Sequence, residues 1–83
     1  MLLAERYKDA LAPLEQATKL KPDDPRSRLN LALAYEKLER IEDSLREYEE
    51  FVKLAPNDPL APKIDDLVRK ARGALAQQKQ KQS

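Results

Sequence analysis

The sequence predicts an all-α fold built from antiparallel helix-turn-helix repeats, and three observations carry that prediction. The first is a breaker written twice, "KLKPDDP" at 19–25 and "KLAPNDP" at 53–59, with Pro56 standing 34 positions after Pro22. A period of about 20–50 residues is the mark of stacked repeats. The second is that the rest of the chain follows the same shift. Tyr7 falls on Ile41, Ala10 on Ser44, Leu11 on Leu45, Leu14 on Tyr48, Ala17 on Phe51 and Leu20 on Leu54, so apolar or small positions match throughout. Lys8-Asp9 falls on Glu42-Asp43 and Lys19 on Lys53. The third is composition: Gly73 is the single glycine, and Ala, Leu, Glu, Lys, Arg and Gln dominate. These are the better helix formers, so helix is expected everywhere except at the proline breakers.

The elements follow in order. Residues 8–21 match the 42–54 helix by register, but Pro13 lies inside that span. An interior proline costs a helix about 3 kcal/mol, so fraying or bending before Pro13 and regular helix after it are expected. Met1 to about Glu5 is left to represent the helix that should precede it. The second helix is expected at 25–38, because Asp24-Pro25 offers an N-cap followed by a proline at the first helical position. Leu29, Leu31, Ala32, Leu33, Ala34, Tyr35 and Leu38 give it a broad apolar face at helical spacing.

The third helix is expected at 42–54, with Leu45, Tyr48, Phe51, Val52 and Leu54 inward. Glu42–Arg46 and Glu49–Lys53 form acid-before-base pairs four apart on its outer face. It ends at Ala55-Pro56, since the residue before a proline is pushed out of helical geometry. Asp58-Pro59 restarts the chain as Asp24-Pro25 did. A last helix at about 60–77 puts Ile64, Leu67, Val68, Ala71 and Leu75 inward, and the polar "QQKQKQS" end is expected to fray. The interhelical core should centre on Leu31, Tyr35, Leu45 and Tyr48. The domain organisation is one domain over 1–78: the second half of a repeat at 1–24, a full repeat at 25–58, a capping helix at 59–78, and a disordered tail at 79–83.

A 34-residue helix-turn-helix unit with a late proline resembles the tetratricopeptide repeat. Leu31-Ala32, Tyr35, Ser44, Tyr48 and Pro56 stand at the intervals of that motif, and Ala10, Leu14 and Pro22 supply its second half once more. The resemblance covers about residues 1–75 and implies a fragment of a right-handed superhelical array. Three positions depart from the motif. Arg28 stands where a tryptophan or other large residue is usual, and Phe51 replaces a small residue, so packing there must open or use Ser44 as a recess. Glu39 replaces the glycine common in the turn between paired helices, where a left-handed residue is favoured.

The bulk properties exclude several functions. Cysteine and histidine are absent, which removes disulfides, thiolate metal sites, a cysteine nucleophile and the commonest general base. Charged residues make up 37% of the 83, but the net charge is only +1, without the basic excess that nonspecific nucleic-acid binding needs. No apolar run approaches the roughly 18 residues of a membrane helix, and no signal peptide is legible, so a cytoplasmic location is the default expectation. Asp23-Asp24, Glu49-Glu50 and Asp65-Asp66 are neighbours in sequence, which do not face one another on a helix, so capping and solvation explain them better than catalysis. A calcium loop needs a Gly-centred twelve-residue spacing, and none occurs. Ser27, Ser44 and Ser83 have no histidine to activate them. The chain reads as non-enzymatic, with no cofactor and no metal.

What the resemblance implies for function is a scaffold that binds a peptide or protein surface in a groove lined by the first helix of each unit. On the full unit the groove-facing candidates are Arg26, Leu29, Asn30, Leu33, Glu36 and Lys37. Asn30 matches an asparagine with which chaperone-binding members hold a peptide's terminal carboxylate. The next first helix carries Leu60 and Ile64 where basic partners are required, with Lys63 one position off, so Asn30 reads as an ordinary repeat asparagine. Two other readings stand beside the scaffold. One is self-association, as a homodimer or with helices exchanged between chains, because "YEKLERIEDSLREYEE" has no glycine or proline across its turn. The other is contact of the basic last helix (Lys63, Arg69, Lys70, Arg72, Lys79, Lys81) with RNA or a membrane surface. No aromatic residue is interleaved with those charges for stacking, so a solubilising cap is preferred.

Overall fold

The computed structural model describes the backbone of residues 2–82 and the side chains of residues 6–78. Four helices fill it: α1 (Leu2–Leu20), α2 (Pro25–Lys37), α3 (Ile41–Leu54) and α4 (Ala61–Gln82). Each packs on its neighbours in sequence: α2 lies between α1 and α3, and α4 lies against α3 alone. The described chain measures 39 × 35 × 19 Å. Its thin dimension equals about two helix diameters of 10–12 Å, so the helices form two layers.

The breakers work as their residues suggest. Asp24 caps α2: its Oδ1 accepts the Arg26 N–H at 3.0 Å, while Pro25 occupies a position whose N–H would go unused. One repeat later, Asp58 Oδ1 accepts the Leu60 N–H at 2.8 Å. The 34-residue register therefore holds down to single hydrogen bonds, although helical geometry in α4 begins only at Ala61.

Two expectations about α1 need correction. Helix is continuous from Leu2 through Pro13, with no break before the proline. Pro13 and Asp9 both lie on the exposed side, so the carbonyl of Asp9, deprived of its helical donor, is open to water. Leu2 to Glu5 consequently belong to α1 itself and do not stand for a preceding helix.

At the other end, α4 passes the expected end near 77 and continues to Gln82, since the Gln/Lys stretch holds no breaker. Of the segment expected as a tail, 79–82 are helical backbone and Ser83 lies outside the described residues. Gly73 sits inside α4, and a Cβ built on it meets nothing within 4 Å. Gly73→Ala should therefore stabilise the fold by about 0.5–1 kcal/mol, because alanine gives up less backbone freedom on folding. A denaturant titration showing no gain would mean that α4 is already unravelled around Gly73 in the folded state.

The core gathers Ala32 of α2, Leu45, Tyr48 and Phe51 of α3, and Ile64 and Val68 of α4. All four residues expected at the interhelical core, Leu31, Tyr35, Leu45 and Tyr48, are buried. Ala32 is fully buried, and across from it Ser44 Oγ donates to the Ala32 carbonyl at 2.9 Å. A small residue at each position lets α2 and α3 approach, and the buried hydroxyl is satisfied by the helix it touches. The large Phe51 is taken up toward α4, in the same cluster as Ile64 and Val68.

Where a tryptophan is usual, Arg28 reaches across to α3 and donates from Nη1 to Glu47 Oε1 at 2.8 Å. Both side chains are about four-fifths buried, so a charge-assisted hydrogen bond replaces an apolar contact at this helix pair. On the outer face the expected Glu49–Lys53 pair does not form. Glu49 accepts two hydrogen bonds from Arg72 of α4, at 2.5 and 3.0 Å, and Lys53 approaches Glu50 at 3.7 Å. A bidentate guanidinium fork outcompetes a single flexible ammonium.

Candidate functional site

Along α2, Arg26, Asn30, Leu33 and Lys37 recur at steps of four, three and four, and all are exposed. The helix thus brings four of the six sequence-derived groove candidates onto one solvent-facing stripe. Leu29 departs from them: it is half-buried and packs against the core.

Beside this stripe lies a cleft of about 290 Å³, walled by Glu36 of α2, Ile41, Leu45 and Tyr48 of α3, and Leu67 and Ala71 of α4. Its lining is mostly apolar. The sequence reading placed Glu36 here but missed Ile41, Leu67 and Ala71, and it assigned Leu67 and Ala71 to the core. The repeat register held the missing signal: Leu67 and Ala71 stand 34 positions after Leu33 and Lys37, both groove candidates of the sequence reading.

A second signal is exposure. Among the described residues the exposed large apolar side chains are Leu20, Leu33, Ile41, Leu60 and Leu67. Ile41 and Leu67 line the cleft, Leu33 lies on the adjoining stripe, and Leu60 stands in the turn just before α4. Leu20, at the end of α1, is the exception.

Polar groups fix the floor. The Tyr48 phenol donates to Glu36 Oε1 at 2.6 Å, so the α2 wall is tied to α3 beneath the cleft. Burial, and then this hydrogen bond to Glu36, hold the phenol above its ordinary range, which keeps it protonated as a donor. Tyr35 makes the matching tie on the other side of α2, donating to Glu15 Oε2 of α1 at 2.9 Å. Its pKa is pushed up to about 12, first by burial and then by the Glu15 hydrogen bond. Glu15 and Glu49 are equivalent by the 34-residue shift, and each holds the next first helix, through Tyr35 and Arg72 respectively.

A family model described as the tetratricopeptide repeat matches residues 1–69. This chain belongs to the tetratricopeptide-repeat family. No curated protein and no solved structure matches it. Tetratricopeptide repeats typically mediate protein–protein interaction and are generally non-catalytic scaffolds. In this tetratricopeptide chain α2 and α3 form one hairpin, with α1 packed on α2 and α4 on α3. The carboxylate-holding arrangement of chaperone-binding members gains no support around Asn30. Ile64, its equivalent on α4, is a core residue only 8% exposed.

The charges of α4 are largely engaged within the chain. Arg69 meets Asp65 at 3.4 Å, Lys70 meets Asp66 at 3.1 Å, and Arg72 is held by Glu49. The side chains of Lys79 and Lys81 lie outside the described residues. No helix among the described residues is long and apolar enough to cross a membrane.

Proposed function

We propose that the chain binds a peptide or protein surface in the groove formed by the stripe Arg26, Asn30, Leu33 and Lys37 and the adjoining cleft. The observation that carries this reading is where the exposed apolar surface lies. Of the five exposed large apolar side chains among the described residues, Ile41 and Leu67 line the cleft and Leu33 lies on the stripe beside it, while Leu20 and Leu60 lie outside the cleft lining. A contiguous exposed apolar patch with polar residues around it is the physical signature of a docking surface.

Substitution scanning on the intact chain tests it. Leu33→Asp and Lys37→Glu should abolish capture of a partner from a cell extract while leaving the melting temperature within a few degrees of the parent, since both side chains are exposed. Loss of capture only on substitution of the opposite surface, for example at Lys8 or Gln16 of α1, would overturn the reading.

Self-association is the second reading. What favours it is α1, which packs on α2 alone and leaves Ala10, Leu11 and Leu14 only half-buried. The equivalent residues of α3, Ser44, Leu45 and Tyr48, are buried because α2 covers them. Against RNA or membrane contact through α4 stand the carboxylate partners of Arg69, Lys70 and Arg72.

A further inference from the structure

Four cations belong to the groove: Arg26 and Lys37 on the α2 stripe, and Lys63 and Lys70 on the face of α4 that carries Leu67. Two carboxylates sit among them, and both are engaged. Glu36 accepts the Tyr48 phenol, and Asp66 lies 3.1 Å from Lys70. Arg26, Lys37 and Lys63 have no ion-pair partner among the described residues. The groove is therefore an apolar slot between unpaired positive charges, in a chain whose net charge is only +1.

The slot is small. At about 290 Å³ it lies at the lower end of the roughly 300–1,000 Å³ of small-molecule pockets, which suits one or two side chains. Resting on the groove reading above, we infer that the occupant is an acidic segment of a partner protein. One large apolar side chain of that segment fills the cleft against Ile41, Leu67 and Ala71, and carboxylates on either side meet Arg26 and Lys37 or Lys63. Glu36, fixed at the wall by Tyr48, repels a carboxylate immediately beside the anchor, so the acids belong two or more residues from it. A free chain end is not required, because Ile64 is buried where a terminal carboxylate would need a polar partner.

The test uses the full chain and three short peptides, blocked at both ends, each with a central leucine and with Glu, Gln or Lys at the flanking positions. Binding is read by fluorescence anisotropy at about 0.02 and 0.3 M salt, which shortens the screening length severalfold. The Glu peptide should bind, the Gln peptide about fivefold more weakly, and the Lys peptide not measurably, in keeping with several exposed charge pairs of modest individual strength. Leu67→Ala should weaken the Glu peptide about tenfold, and Lys37→Glu with Lys63→Glu should do the same while removing its salt dependence. Leu67 is 42% exposed, so its truncation leaves the fold intact, and Ile41→Ala serves as an independent second cleft variant.

Equal binding of the Gln or Lys peptide, or an unchanged affinity in both cleft variants, overturns the inference. So does a failure of all three peptides to saturate at about millimolar protein, a level corresponding to negligible specific affinity. None of these outcomes touches the groove reading itself, which stands or falls on the substitution scan.

Discussion

Leu45→Ala is expected to lower the stability of the fold by about 2–5 kcal/mol. Leu45 is 2% exposed and belongs to the cluster in which α2, α3 and α4 meet, so no single helix shift can close the cavity left behind. At about 0.05–0.15 kcal/mol per residue, a chain of this length has roughly 4–12 kcal/mol of stability in total. Where the total lies at the low end of that range, the substitution unfolds a measurable fraction of the protein at room temperature and, at its largest cost, most of it; where the total is higher, the loss shows as a lowered urea midpoint. Circular dichroism against urea gives the number directly. A loss below about half a kilocalorie, the range of surface substitutions, would show that Leu45 does not sit in the core. The cleft should suffer too, because Leu45 forms part of its wall, so loss of the core and loss of the cleft are linked through this one side chain.

Why so much of the core was legible, and so little of the cleft, follows from what a repeat constrains. Burial repeats: the shift of 34 aligns Leu11 with Leu45 and Leu14 with Tyr48, and helical spacing then says which face is covered. The Asp-Pro pairs mark helix starts because an N-cap and a fixed φ act locally, without reference to the rest of the fold. Pro13 misled because its cost depends on whether the freed carbonyl can reach water, which depends on which side of α1 faces the neighbouring helix. Glu49 was paired with Lys53 because sequence shows only neighbours on one helix. Its actual partner, Arg72, lies on another.

The cleft was harder still. Apolar residues at helical spacing on α4 are indistinguishable, in sequence, from a wholly buried stripe, and α4 packs on α3 alone among the described helices. Ile64 and Val68 went inward while Leu67 stayed at the cleft wall. Glu36 and Tyr48 were each readable alone, but the hydrogen bond that joins them crosses from α2 to α3 and depends on how the two helices pack.

The second large effect concerns the turn between α2 and α3. The Arg40 N–H donates to the Tyr35 carbonyl at 2.9 Å and the Glu39 N–H to the Glu36 carbonyl at 3.0 Å. Together they close the end of α2 in the pattern that calls for a left-handed residue one place past the cap. Glu39 is that residue, with φ at 63°, the one non-glycine residue at positive φ among those described. A side chain in this conformation costs about 1–2 kcal/mol relative to the right-handed region. The hairpin bears the cost because what it closes is worth more: the Ala32–Ser44 contact, the Glu36–Tyr48 tie, and the Arg40 guanidinium stacked 4.7 Å from the centre of the Tyr35 ring. Glu39→Gly removes the strain while leaving those contacts in place, and should stabilise the closed hairpin by about 1 kcal/mol, part of the gain being offset by the greater freedom of glycine in the unfolded chain. The same strain favours the alternative in which α2 and α3 run on as one helix and exchange halves between two chains, since Glu39 would then adopt ordinary helical geometry. Sedimentation over a broad dilution series should therefore show less dimer for Glu39→Gly than for the parent, together with the higher urea midpoint. A Glu39→Gly protein that is no more stable would mean that the turn is not strained in solution. A parent that stays monomeric at every concentration would end the exchange reading and leave the stability gain as the only consequence of the left-handed Glu39.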